Sequence, residues 1–168
     1  MRSIHDWLDE YGESHQNPIN KMIHWICVPL IMLSLMGLLW TIPTPLNLTL
    51  ISGVPLNWTF LFIVFCIIFY SRLSIKITLG MACIGILLVL GVLWLDTFEM
   101  ALWKISALIF VPAWLGQFIG HFIEGKRPSF SKDLQFLLIG PAWLMSFIFS
   151  KLKVKSTKRK GQLSLKKY

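Results

Sequence analysis

Three histidines, His15, His24 and His121, are the residues from which this chain could build a metal site, and Asn20, Gln117 and Glu124 accompany them. Imidazole nitrogens suit iron, zinc, copper and nickel, and three neutral rings leave coordination positions open for substrate or water. Asn20 precedes His24 by four residues, which places both on one face of a helix. Gln117, His121 and Glu124 follow one another at spacings of four and three, so one helical face carries all three. Glu124 or Gln117 could serve as a fourth ligand or orient a ring through its second nitrogen. A plainer reading stands beside this one, because histidine is common at membrane boundaries, where its polar tip reaches water. His5 lies in an amphipathic acidic stretch away from these motifs and reads as a surface residue.

For the three rings to meet, helices must bring them to one level. Asn17-Pro18 is a good helix start: asparagine caps exposed amides, and proline at the first helical position loses no hydrogen bond. His24 then lies about 9 Å along the axis, near a headgroup boundary. His15 precedes the cap and can fold back over the helix start. Pro29, five residues beyond His24, bends the span and frees the Trp25 carbonyl.

The composition calls for a bilayer as solvent. Hydrophobic residues make up 55% of the chain and charged residues 14%, and the mean hydropathy is +0.67; a soluble globule of this size could not cover so much apolar surface. Apolar stretches cover residues 22–41, 57–71, 77–95, 105–120 and 134–149, against the roughly 20 residues a spanning helix needs. The second and fourth reach that length only with polar flanks, and Gly140-Pro141 interrupts the fifth. Fifteen of the sixteen basic residues, all but Lys104, fall on one side if four segments span and the fifth is re-entrant or interfacial. Cytoplasmic loops carry such an excess. The expected fold is therefore an all-α, polytopic membrane helical bundle with four spanning helices and a fifth re-entrant or interfacial segment. Both termini, the start of the first span and the end of the fourth would be cytosolic, which brings the three histidines to one depth.

Residues 1–150 read as one membrane-embedded catalytic domain, and residues 151–168 as a basic, disordered cytosolic tail. The tail is suited to anionic headgroups or to anchoring the topology. It has too few aromatic side chains for nucleic acid, and no nucleic-acid partner is expected. Asp6, Asp9, Glu10 and Glu13 exclude a cleavable signal of the usual kind, so the first span is expected to direct insertion. Cys27, Cys66 and Cys83 lack metal-ligand spacing and read as packing residues. Pro112-Ala113-Trp114-Leu115 recurs as Pro141-Ala142-Trp143-Leu144. Shared bent-helix geometry and chance convergence both account for this near-repeat.

Asp6-Trp7-Leu8 with Tyr11, then His15, Asn20, His24 and Pro29, and later Gln117-Phe118-Ile119-Gly120-His121 with Glu124 and Pro128, give the chain a family likeness. It resembles the fungal-type 2-hydroxy fatty acid dioxygenases of the endoplasmic reticulum and their bacterial relatives over most of residues 4–150. Cys27 stands where that pattern has glycine. The resemblance implies a membrane oxidoreductase of fatty acid alpha-oxidation that converts a 2-hydroxy fatty acid and O2 to the acid one carbon shorter. It implies Fe(2+) as cofactor, His15, His24 and His121 as metal ligands, Glu124 as a further catalytic group, and Asn20 and Gln117 behind them. The host membrane would be the bacterial inner membrane or the endoplasmic reticulum. Lys21, Lys126 and Arg127 could steer an anionic headgroup, or merely set the topology. Four histidines are too few for a di-iron desaturase, and no His-Glu-x-x-His zinc motif occurs. The alternative is a non-enzymatic membrane scaffold or small transporter; transport fits poorly with spans that carry almost no midplane charge.

Overall fold

The computed structural model describes residues 4–44, 56–127 and 135–165, with residues 152–165 as backbone alone. The described residues form helices and connections without strands: α1 (Ile4–Glu13), α2 (Pro18–Thr41), α3 (Trp58–Ser71), α4 (Ile75–Leu95), α5 (Leu102–Glu124) and α6 (Phe136–Leu165). Pro128, quoted in the family pattern, lies outside the described residues.

The helix starts follow local chemistry. Asn17 caps α2 as the sequence predicts, its side-chain oxygen accepting from the Ile19 amide at 2.9 Å with Pro18 in the first turn. Asn57 caps α3 in the same way, through the Thr59 amide at 3.0 Å. Gly125 ends α5 in the left-handed region at φ 70, which lets its amide and that of Lys126 reach carbonyls of the last turn.

Three helices, α2, α4 and α5, are long and apolar enough to cross a membrane. Their outer faces carry bare apolar side chains such as Leu87 and Trp94 on α4 and Leu115 and Phe118 on α5, the pattern of a surface solvated by lipid. The second expected span is the short one, although it links the two ends of the bundle, from the Thr59 hydroxyl on the Met36 carbonyl to the Tyr70 hydroxyl on the Leu138 carbonyl. Capped at Asn57 and closed at Arg72, α3 has 14 residues, about 21 Å of rise against the roughly 30 Å of hydrocarbon.

The fifth segment also departs from expectation. Helix α6 runs through Gly140-Pro141 without a break. Pro141 removes one bond close to the helix start, to the carbonyl of Leu137, while Phe136, Ile139, Ala142, Trp143 and Leu144 are all buried; that packing outweighs the single lost bond. The backbone stays helical to Leu165, past Ser150, where composition predicted a tail without order. Lengthening an existing helix needs no new nucleus, and lysine is a good helix former.

Helices α2 and α5 form the main packed pair and run antiparallel. Asn20 faces Gly120, Cys27 faces Gly116, and Gly37 faces Ser106. A core of Met36, Val92, Leu95 and Leu102 fills the end of the bundle far from the histidines and contains no residue of α6. At the histidine end, Trp7, Tyr11 and Val28 pack with Phe136, Ile139 and Trp143, and Tyr70, Ile77 and Met81 pack with Ala142 and Met145. The Tyr70 hydroxyl donates to the Leu138 carbonyl at 2.8 Å. Thus, among the described side chains, α1 and α6 cover only the histidine half of the molecule.

Candidate metal centre

The histidine centre is built from a turn and two helix ends. After α1, the amide of Ser14 donates to the Tyr11 carbonyl and that of His15 to the Gly12 carbonyl, turning the chain inward. The His15 ring stacks on Tyr11 at 4.1 Å between centroids and an interplanar angle of 11°, with Trp143 5.2 Å away. His24 comes from the first turns of α2 and His121 from the last turn of α5. Ring centroids lie 4.3 Å apart for His15 and His24, 4.9 Å for His15 and His121, and 5.0 Å for His24 and His121. One nitrogen from each ring can be chosen so that all three lie within 4.8 Å of one another.

All three are buried: relative exposure is 0% for His15, 1% for His24 and 5% for His121. Rings that only carried a polar tip to water at a membrane boundary would be exposed. Burial, and then the neighbouring His24, push the His15 pKa down to about 3, so the ring is neutral at physiological pH, the form that binds metal. His5, by contrast, is exposed on α1.

His15 Nδ1 is 2.7 Å from the Tyr11 carbonyl, His24 Nδ1 is 2.9 Å from the Asn20 carbonyl, and the two Nε2 atoms face each other at 3.0 Å. Each of these three contacts needs one hydrogen, and two neutral imidazoles supply two. If both rings donate to their carbonyls, two lone pairs oppose each other across the gap. A cation satisfies them without a third proton. Two nitrogens about 2.1 Å from one ion and at right angles would stand about 3.0 Å apart, so the spacing fits a shared metal. His121 Nδ1 is buried with no hydrogen-bond partner, and in the tautomer protonated at Nε2 it offers such an ion a further lone pair.

The other predicted residues hold this arrangement in place. Glu124 reaches across from α5 to the turn before α2: Oε1 accepts from the Gln16 amide at 2.7 Å, and Oε2 accepts from the Asn17 amide at 2.8 Å and from Asn20 Nδ2 at 3.1 Å. Its two oxygens are thus engaged by the link that carries His15. Asn20 also donates to the Ser14 carbonyl at 3.2 Å, and Gln117 lies beside His24 as a hydrogen-bonding neighbour. Lys126, a headgroup-steering or topology residue by sequence, donates to the Glu13 carbonyl at 2.7 Å. It ties α5 to the end of α1.

Sequence reasoning missed Trp143 as a neighbour of His15, and it missed the role of Gly116 and Gly120. A Cβ on Gly116 would stand 2.7 Å from Cys27 Sγ, and one on Gly120 would clash with Asn20 Oδ1. Two glycines four apart on an apolar helix are a known sign of close helix approach, so that signal was present in the sequence.

The fold and the site together define, among the described residues, a helical protein with three membrane-length apolar helices and a buried three-histidine centre suited to a metal ion. The chain belongs to the family described as 2-hydroxy-palmitic acid dioxygenase Mpo1-like, whose model matches residues 1–152. No curated protein and no solved structure matches it.

Proposed function

We propose that this chain is an iron(II)-dependent dioxygenase that converts a 2-hydroxy fatty acid and O2 to the acid one carbon shorter, carbon dioxide and water. The observation that carries this reading is the unmet third proton between His15 and His24, within a family whose name gives a 2-hydroxy acid and a dioxygenase. Atoms and electrons balance with no organic cofactor: the acid gives up four electrons and one O2 takes them. Bound iron(II) would supply the one-electron chemistry by which O2 reacts with a closed-shell acid.

The chain's own residues bind and orient. His15, His24 and His121 are the proposed ligands, with the Tyr11 and Asn20 carbonyls fixing which nitrogen of His15 and His24 faces the ion. Glu124 and Asn20 hold the 14–17 turn, and with it His15, in register. Gln117 presents a hydrogen-bonding group between the centre and the apolar interior, where it can orient the polar end of the substrate. Aromatic walls from Tyr11 and Trp143 keep water from the rings. We place both termini and the metal centre on the cytosolic side, because the basic residues gather there and the described side chains of α6 pack against α1 and the histidine ends of α2, α3 and α4. This arrangement favours an interfacial α6.

The test is product analysis of purified protein loaded with iron(II) without oxygen, then given a long-chain 2-hydroxy acid and O2. The acid one carbon shorter is expected, with bound iron, and both are lost in His24→Ala. Iron-loaded, folded protein that forms no shortened acid at any chain length overturns the assignment.

A further inference from the structure

A cavity of ≈ 60 Å³ lies one helical turn below the histidines, walled by Val28 and Met32 of α2, Trp114 and Gln117 of α5, and Leu137 and Pro141 of α6. Val28 is four residues from His24, and Gln117 is four residues from His121, so the cavity begins where the metal centre ends. Two residues belong to both: Tyr11 lines the cavity and stacks on His15, and Gln117 lines it beside His24.

The cavity has a closed end and an open flank. On the α1 side the turn bearing His15 is bound down by Glu124 and Lys126, and His15 is wholly buried. On the opposite flank, α5 packs along α2 while α6 packs on α1, α2 and α4, and α5 and α6 share no broad face. The wall residue Leu137 is 41% exposed there, and Met32 and Trp114 are half-buried. A water-soluble substrate would find its approach covered. An amphiphile in the bilayer would find an apolar slot ending at polar groups.

We propose that this slot is the acyl-chain site: the 2-hydroxy acid enters sideways from the bilayer between α5 and α6, its polar end reaching the histidines past Gln117. This rests on the reaction proposed above for the identity of the head. The Pro-Ala-Trp near-repeat acquires a use, since Trp114 from one copy and Pro141 from the other both line the slot. The slot itself follows about 6 Å of α2, from Val28 to Met32, and its far wall at Met32 stands about 12 Å along the helix from His24, so it holds a short middle part of a long chain, with the rest in lipid.

The experiment is photo-crosslinking of the full-length protein, in detergent and in vesicles, with a 2-hydroxy acid bearing a diazirine at mid-chain, followed by peptide mapping. Label is expected on the α2 and α6 segments containing Met32 and Leu137, and should be competed away by unlabelled long-chain 2-hydroxy acid. In parallel, Met32→Trp and Leu137→Trp fill the slot without touching the histidines. They should lower the ratio of long-chain to short-chain kcat/KM by about tenfold or more. Label confined to other segments, or an unchanged ratio in both variants, overturns the acyl-chain site. Specific label in the slot of a protein that shortens no acid upholds the chain site and overturns the reaction.

Discussion

Glu124 stands beside the three histidines yet turns its charge toward main-chain amides, which makes it a positioning residue by geometry. Glu124→Gln keeps the shape and loses the charge that strengthens those hydrogen bonds. We expect the apparent affinity for iron(II) to fall by about 10- to 100-fold, while kcat at saturating metal stays close to wild type. Chelator competition and metal-dependent turnover separate the two quantities, and a kcat that collapses at full metal occupancy would make Glu124 a proton carrier. The sequence placed Gln117, His121 and Glu124 on one helix face because spacing alone decides that. The carboxylate's partners were not legible, since Gln16 and Asn17 take part through backbone N–H groups that every non-proline residue has. Tyr11 was legible as part of a family pattern, but its stacking beneath His15 depends on a turn that no periodicity announces.

The α2–α5 pair sets the distance between His24 and His121, and its closeness depends on glycine. Gly116→Ala brings a Cβ to 2.7 Å from Cys27 Sγ, and overpacking of this kind costs about 1–3 kcal/mol. A lower Tm and reduced iron content in detergent should follow, with Cys27→Gly in the same chain restoring most of both. Failure of that second change to rescue would place the damage elsewhere. The helices were legible wherever capping or long apolar runs specified them, as with Asn17-Pro18 and the span from Ile75. They were less so where tertiary packing prevailed over a local signal. Pro141 reads as a break, but burial of its neighbours carries α6 through it; α3, by contrast, ends where its apolar run 57–71 ends, at Asn57 and Arg72.

For the molecule as a whole, the charge count anticipated that the start of α2 and the end of α5 would meet, and the antiparallel pairing of Asn20 with Gly120 is consistent with that. What the count could not supply was the cover that α1 and α6 form over one half of the bundle, because that contact is made by apolar faces without charge. The proposed topology predicts that accessibility reporters at the N-terminus and after Leu165 label from the cytosolic side, and that one beside Lys104 labels from the other. Opposite labelling of the two ends would require α6 to cross. The short turn that joins α1 to α2 has a further consequence. An ion held by His15 and His121 joins positions about a hundred residues apart, and such a clip restricts a long loop of the unfolded chain. Iron would therefore act as a structural staple as well as a reagent, and by linkage it stabilises whatever state can hold all three rings. Amide exchange in α1 and the 14–17 turn should slow when iron(II) is added and quicken when it is chelated, so metal depletion should loosen the cover before it melts the bundle.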